Sequence, residues 1–538
     1  MRRLLKPIVE LRDTETVTAV LMFAYSFLAM TSYNIIKPAT RSTFISGLGA
    51  DNLPWVQLGA GILIGFIMQA YSRAIGLVPR RWAIPVTQVG CVGLLVALWI
   101  PLAAKQEWAS VAFYVLGLIL GILMISQFWT LANDVYDARQ AKRLFGFIGG
   151  GASLGGATGA AITSMFVTRV GTANMVLVSA GVMLVCVVLV SAIVRREKSA
   201  GTSDAAVEEE GVGGGEAIKL LRDSKHLQII AIVIGCAAMG AAIIEQQLNM
   251  AAEAQLGAGQ TDSITAFLAQ VTVYLSLIGF AIQVGATSRI HRLLGLGFAL
   301  MILPVSLGAT AVVMLFNRAL WAPALARILD TSLRYTVDKT SREILFLPLP
   351  AAIKYKAKPF VDVTMDRFAK AMDALLILVL IKPWGLNLDW QRLSLASLTL
   401  MGVWVFMALR ARREYLSAFR RSIEQHDVTP AEIRSTQADL QTIETLVEEL
   451  AHPDERRVLY AIDLLESLEK RHLVTPLLLH HASAAVRART LRSLQALRPE
   501  LAQKWVPAIE RLLTDEDDAV RAGAVRAISA IRGQEAAG

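Results

Sequence analysis

Cysteine and charge are both scarce in this sequence of 538 residues. The three cysteines all lie inside apolar runs, so they provide neither a disulfide framework nor a metal-ligand spacing. Charged residues make up 18% of the chain, against ~25% in a typical soluble domain. With 54% hydrophobic residues and a mean hydropathy of +0.50, the composition excludes a typical soluble enzyme and a disordered or collagen-like chain.

The phosphate-binding loop G-x-x-x-x-G-K-[ST] does not occur either, which excludes the common type of ATP-hydrolysing pump. We predict that the protein is not an enzyme and needs no cofactor. A glycine cluster does occur at residues 149–159. Because Gly151, Gly155 and Gly159 fall on one helix face, the cluster favours close packing of two helices over phosphate binding.

Basic residues are concentrated in the first 410 residues, where 35 lysines and arginines face 24 acidic residues. The remainder holds 18 basic and 20 acidic residues. Most of the basic excess lies in short loops between apolar runs, which is the pattern of the positive-inside rule. A nucleic-acid binder would instead need a basic face on a soluble domain. The predicted partner is therefore the lipid bilayer and not nucleic acid.

About twelve runs approach the ~20 apolar residues that a membrane-spanning helix needs. They begin near Thr16, Trp55, Trp82, Trp108, Phe145, Ala173, Leu227, Ile264, Leu293, Ala319, Val361 and Leu393. Alternate loops carry the lysines and arginines, which predicts that both termini are cytoplasmic. Acidic residues follow the basic N-terminus and no clear cleavage site appears, so we predict that the first run is a retained span.

The polar, glycine-rich segment 197–217 predicts a cytoplasmic linker. It separates two six-helix halves, residues 1–196 and 218–410, in an arrangement that resembles the major facilitator architecture. In residues 411–538 the hydropathy falls, and segments 457–465, 486–494 and 520–528 align with one another. They resemble HEAT-type repeats, and an unspecialised helical bundle is the alternative. The predicted fold class is all-α: a polytopic membrane protein with a cytoplasmic HEAT-like repeat domain.

Ionisable side chains inside membrane spans mark candidate sites, since each costs ~2.5–3.5 kcal/mol near the bilayer centre. Lys37 and Arg41 share one face of the first run. Two cations on one face suit a polyphosphate, and snorkelling toward the outer leaflet is the alternative. Asn133 in the fourth run and Glu245 in the seventh either face a cavity or lie at a helix end or interface.

The tenth run carries the densest charge, with Arg327, Asp330, Arg334, Asp338 and Arg342 at three- or four-residue spacing. This stripe either lines a water-filled path or is neutralised by ion pairs within the helix. The eleventh run adds Asp362, Asp366, Arg367, Lys370 and Asp373. Runs one, four, seven and ten are the equivalent first helices of three-helix repeats in a six-plus-six fold. Their polar residues are therefore expected to surround a central cavity.

Phe128-Trp-x-x-Ala-Asn133, followed by Gln140-Ala-Lys-Arg-Leu-Phe145, is similar to the "FW-x-x-AN … EAKRFY" signature of the ATP/ADP translocase (nucleotide transport) family. Arg342-Glu-Ile-Leu-Phe-Leu-Pro-Leu349, followed by Lys354-x-Lys-x-Lys358, resembles its "KE-x-x-[FY]IPL … K-x-KGKA" run. The resemblance implies twelve spans, a pathway for nucleoside di- or triphosphates, and transport roles for Lys37 or Arg41 and for Glu343.

From these features we predict a secondary transporter that exchanges ATP and ADP across the cell inner membrane by alternating access. Lys37 and Arg41, with Arg327 or Arg334, would hold phosphates, while Glu343 and Glu245 would form charge pairs that break and re-form. One alternative is transport of another phosphorylated anion or lipid. The other is a membrane sensor or scaffold that acts through a protein partner of its repeat domain.

Overall fold

A computed structural model describes most of the chain. The described residues are 15–76, 78–136, 138–197, 221–222, 224–285, 287–346, 348–349, 366–425, 440–495 and 503–537. Every regular element within these ranges is helical. The predicted linker from residue 198 onward, the basic cluster at 354–358, Asp362 and the side chains of Asp366, Arg367 and Lys370 lie outside what is described.

Six helices form the amino-terminal half. They are α1 Thr16–Leu48, α2 Leu53–Gly76, α3 Arg80–Ala103, α4 Glu107–Val135, α5 Ala138–Val170 and α6 Thr172–Glu197. A 3-10 turn, Ala50–Asn52, joins α1 to α2. The core of this half is built mainly from apolar faces of α1, α3, α4, α5 and α6, because each helix is apolar on several sides and buries one of them against its neighbours.

The carboxy-terminal half begins with α7. Its helices are α7 Lys225–Leu256, α8 Thr261–Gly285, α9 Thr287–Phe316, α10 Trp321–Leu333, α11 Lys339–Leu345, α12 Asp366–Ile381 and α13 Leu393–Gln425. A π-helical turn, Arg334–Asp338, connects α10 to α11. Gly295 has φ +76° and kinks α9, since glycine adopts this backbone conformation without the steric cost of a Cβ atom.

Nine helices of the described chain are long and apolar enough to cross a membrane. This confirms a polytopic, all-helical membrane protein. The predicted runs near Phe145, Ala319 and Val361 correspond to α5, to α10 with α11, and to α12, which are not among the nine. The α5 helix starts with several basic residues, whereas α10 has only 13 residues and α12 only 16.

The predicted glycine contact between two helices is confirmed for α5 and α1. A Cβ atom at Gly155 would lie 2.0 Å from the carbonyl oxygen of Phe27, and one at Gly159 would lie 2.3 Å from that of Thr31. The Thr31 hydroxyl also donates to the Gly155 carbonyl at 3.2 Å. The glycines therefore allow the two backbones to approach more closely than any side chain would permit.

Gly155→Ala is expected to lower the free energy of unfolding by about 1–3 kcal/mol, and with it the melting temperature, because the new methyl group forces α5 away from α1. Gly150→Ala is the matched control, since its Cβ would meet nothing within 4 Å. There the helix-favouring alanine should preserve or raise stability by up to about 1 kcal/mol. Tryptophan-fluorescence melting of the purified variants measures both, and equal melting of the two would contradict the packing account.

Beyond α13 lies a helical repeat domain. Its helices are α14 Leu440–Glu449, α15 Glu455–Ser467, α16 Ala484–Gln495, α17 Val506–Arg511 and α18 Asp518–Ala537. Ala461, Thr490 and Ala524, which the sequence alignment places at one repeat position, are all fully buried. The α13 helix continues past residue 410 and buries Phe419 in the first repeat core. The repeat domain is therefore packed directly on the membrane region.

Ion pairs connect successive repeats. Arg489 and Ser493 of α16 donate to Glu466 of α15, each at 2.6 Å. Burial by itself would raise the pKa of Glu466, but these hydrogen bonds outweigh burial and lower that pKa below its usual value. Arg487 likewise lowers the pKa of Asp515, to which it donates at 2.8 Å. The pairs therefore stabilise the domain while the carboxylates are ionised.

Acidification is expected to destabilise the repeat domain. Because the folded pKa of Glu466 is lowered, its contribution is present at neutral pH and is lost as the pH falls below about 5 toward the folded pKa. Glu466→Gln should lower the calorimetric melting temperature at pH 7, and the difference from wild type should shrink at lower pH. Glu448→Gln is the control, since Glu448 forms a largely exposed pair with Arg420. A pH-independent difference for Glu466→Gln would contradict this account.

Candidate functional site

A cavity of about 520 Å³ lies between the two halves. Helices α1, α5, α7, α8 and α10, together with the π-helical turn, line it. This volume falls in the ~300–1,000 Å³ range that is typical of small-molecule sites. Its polar lining residues are Asn34, Lys37, Arg41, Ser153, Thr272, Ser276, Gln283, Arg327, Thr331, Ser332, Tyr335 and Thr336.

One carboxylate beside this cavity joins two arginines that line it from opposite halves. Glu245 of α7 forms an ion pair with Arg41 of α1, and its Oε2 lies 3.0 Å from Nη2 of Arg327 in α10. All three side chains are mostly but not fully buried, with 16–20% of each exposed. The arrangement links three helices through charge-assisted hydrogen bonds.

Lys37 differs from the two arginines because it pairs with no carboxylate among the described residues. No salt bridge is found for it among the described residues, and its Nζ lies 5.8 Å from the centre of the Tyr33 ring. The positive charges of Arg41 and Arg327 act on it. An anion entering the cavity would therefore meet a lysine for which no described carboxylate competes.

The charged stripe of the tenth run divides between the cavity and the protein interior. Arg327 lines the cavity and also lies 3.4 Å from Asp330. Arg334 instead pairs with Asp330 and donates to the Ala237 carbonyl. Arg342 pairs with Asp338 at 2.9 Å. Neutralisation within the helix is thus confirmed for Arg334 and Arg342.

The charges around the cavity do not balance. Among the described residues, three cations line the cavity: Lys37, Arg41 and Arg327. Glu245 pairs with the two arginines, and Asp330 is shared by Arg327 and by Arg334, which lies outside the lining. Two positive charges therefore remain uncompensated by the described residues, beside side chains that are mostly buried. Uncompensated charge in such a place is costly unless a ligand neutralises it, so the cavity is suited to an anion.

Four predicted site residues lie outside the cavity lining. Asn133 is exposed near the end of α4, and Glu343 is exposed on α11. Arg334 and Glu245 do not line the cavity either, although Glu245 pairs with two arginines that do. The roles assigned to these four residues stay predictions.

Polar contacts join the two halves beyond one end of the cavity. The Nζ atom of Lys382 donates to Asp51 Oδ2 at 2.6 Å and to Asn52 Oδ1 at 2.7 Å. The backbone N–H of Ala50 donates to Glu253 at 2.8 Å. We call these contacts, together with those of Ser42, Thr172, Asp262 and Thr265, the inter-half contact cluster.

The same cluster includes hydroxyl groups on α1, α6 and α8. The Ser42 and Thr265 hydroxyls are hydrogen bonded to each other, and Thr172 donates its hydroxyl to Asp262 at 2.6 Å. An apolar core that contains Phe44 and Ile264 packs alongside. The cavity continues along α8 from Leu268 to Gln283, away from this end. The bundle is therefore closed on one side of the cavity.

Sequence reasoning missed several of these residues. Asn34 precedes Lys37 by three positions and so shares its helix face, a signal that could have identified it. No comparable signal exists for Asp51 with Lys382, or for Thr172 with Asp262, because these pairs depend on how loops and helix ends meet in three dimensions.

Two family models match the chain. One, described as Major Facilitator Superfamily, matches residues 22–329. The other, described as HEAT repeats, matches residues 472–537, which confirms the resemblance seen in the aligned segments.

Similar proteins include carriers from Chlamydia and Rickettsia species. "ADP,ATP carrier protein 1" of Chlamydia muridarum is 21% identical over 361 residues, which cover 59% of this chain and 67% of that protein. "ADP,ATP carrier protein 3" of Rickettsia conorii is 22% identical over 362 residues, or 58% and 71% of the two chains. The resemblance to the ATP/ADP translocase family is thus confirmed.

Among solved structures, the nucleoside transporter NupG matches with a TM-score of 0.53 and 13% identity. The match covers 75% of this chain and 99% of that chain, and it shows a common fold. With more than half of its residues matched by the family model, the chain belongs to the Major Facilitator Superfamily.

Proposed function

We propose that this protein exchanges ATP and ADP across the cell inner membrane by alternating access. In this proposal α1 to α9, the α10–α11 unit, α12 and α13 are twelve spans, and both termini and the repeat domain lie in the cytoplasm. Residues 1–196 and 218–410 would be the moving halves, joined by the linker 197–217, with residues 411–538 as the appended domain. The Chlamydia and Rickettsia relatives named ADP,ATP carrier proteins support this choice of substrate.

The cavity's surplus of positive charge is the observation that carries the proposal. A nucleotide needs cations for its phosphates, and arginine guanidinium groups bind phosphate oxygens in a bidentate manner. Lys37 has no carboxylate partner among the described residues, while Arg41 and Arg327 share Glu245. We infer that the phosphates bind Lys37 directly and compete with Glu245 for the two arginines.

Glu245 would then act as a substitute anion in the empty carrier. It contacts one arginine from each half, so it holds the halves together when no phosphate is present. A substrate that takes over the arginines would weaken this connection and permit the halves to move. Exchange without net leakage follows, because the empty cavity is kept in one conformation by Glu245.

The substrate class is tested by the binding of ATP, ADP, AMP and adenosine to the purified protein by calorimetry. Affinity is expected to rise with the number of phosphates, by about 1.5–3 kcal/mol for each additional charge-assisted hydrogen bond. Raising the salt concentration should weaken the binding of ATP more than the binding of AMP.

Equal affinity for adenosine and ATP would contradict a phosphate-based site. Tighter binding of inorganic polyphosphate or a sugar phosphate than of either nucleotide would instead identify another phosphorylated anion as the substrate. The assignment to nucleotides would then be withdrawn, while the cation-lined cavity would stand.

A further inference from the structure

A buried carboxyl group lies in α12, away from the cavity. Asp373 is the eighth of the 16 residues of this helix and is 2% exposed. Its Oδ1 atom has no hydrogen-bond partner, and no ion pair involves Asp373 within the described part of the chain. Asp330, which is equally buried, contrasts with it because two arginines bind Asp330.

Asp373 lies at a boundary between the two halves. Its helix packs against α7 of its own half and against α2 of the other half. One turn further along, Ile377 and Leu380 form an apolar cluster with Ile243 of α7. The carboxyl is thus placed among helices whose relative positions must change if the halves rock.

Most of the described charged groups of the packed helices either have other partners or lie in the first or last turn of a helix. On α7, Glu245 binds two arginines and Glu253 accepts a hydrogen bond from Ala50. Lys225 and His226 lie in the first turn of α7, and Arg73 is exposed in the last turn of α2. Lys382 follows α12 and binds Asp51. None of these described groups forms an ion pair with Asp373.

An ionised carboxylate in such surroundings is strongly disfavoured, because no described cation pairs with it and its Oδ1 atom accepts no hydrogen bond in place of the lost water. The neutral acid does not carry this cost. Ionisable groups buried in membrane spans commonly carry protons in transporters. The protonation state of Asp373 should therefore depend on whether α12 is packed against its neighbouring helices.

We propose that Asp373 is a proton-binding site. Its carboxyl holds a proton while α12 packs against α2 and α7, and it releases that proton to water when this interface opens. The inference rests on the rocking motion of the proposed function and deepens it. Since the closed interface binds one more proton, acid favours this conformation and alkaline conditions favour its opening.

Infrared spectroscopy of the full-length protein in lipid tests this assignment. The wild type should show a carbonyl band of a protonated carboxyl that Asp373→Asn removes and Asp373→Glu retains at a shifted frequency. Asp389→Asn is the matched control, since Asp389 is exposed in the loop after α12, and it should keep the band. A wild-type spectrum without a band that depends on Asp373 would overturn the proposal.

The second measurement is the pH profile of nucleotide exchange in vesicles with equal pH on both sides. The wild-type rate should change about fivefold over two pH units, and the Asp373→Asn rate should change less than about twofold. An unchanged profile in Asp373→Asn would overturn the link to transport. A band that depends on Asp373 without any nucleotide flux would uphold the proton site and reject the proposed function.

Discussion

Lys37→Met is expected to weaken ATP binding by about tenfold to hundredfold while the protein melts at the same or a higher temperature. The lost charge-assisted contact is worth about 1.5–3 kcal/mol. Stability should not fall, because Lys37 has no carboxylate partner in the described chain and lies near the positive Arg41 and Arg327. Methionine keeps the length of the side chain and suits an apolar environment. Calorimetric binding and thermal melting of one preparation measure both quantities.

Arg41→Met is the informative comparison. Arg41 pairs with Glu245, so this variant should lose affinity and also melt at a lower temperature, since it removes one partner of a buried ion pair. Arg169→Gln, at an exposed position near the end of α5, should change neither quantity. Unchanged ATP affinity in Lys37→Met would contradict the assignment of this lysine to the phosphates.

A disulfide between α1 and α8 is expected to stop exchange almost completely. The Ser42 and Thr265 hydroxyls are hydrogen bonded across the two halves, so cysteines at both positions lie within reach of a disulfide. Oxidation of the Ser42→Cys/Thr265→Cys variant would hold the inter-half contact cluster closed. Transport should fall by about tenfold or more, and a reducing agent should restore it.

The control places a disulfide inside one half. Ser32 of α1 and Ser179 of α6 are hydrogen bonded at 2.8 Å between their hydroxyls. Oxidised Ser32→Cys/Ser179→Cys protein should still exchange nucleotides, since this bond does not join the halves. The native Cys91, Cys186 and Cys236 are buried, which limits side reactions. Full activity of the oxidised Ser42–Thr265 variant would contradict movement between the halves.

The sequence was sufficient to place three cavity cations. Lys37 and Arg41 share a helix face, and Arg327 lies in a run equivalent by position in the repeat, so spacing and order predicted that they meet. All three line the same cavity. Local periodicity works here because each helix presents one face to the interior.

Spacing could not decide which side of the tenth run faces the cavity. Arg327 and Arg334 are seven residues apart, which predicts a common face, yet Arg334 turns to Asp330 and Ala237. Its position starts the π-helical turn, where the register of the helix changes. The contact of Asp51 with Lys382 was equally inaccessible, because it joins residues 331 positions apart.

The most direct test of the account is uptake of labelled ATP by liposomes that contain the purified protein, with and without ADP inside. We expect uptake that requires internal ADP and is reduced in Lys37→Met and Arg41→Met, because phosphates must replace Glu245 before the halves move. No uptake by correctly folded protein in the presence of internal ADP, or equal uptake without it, would contradict nucleotide exchange.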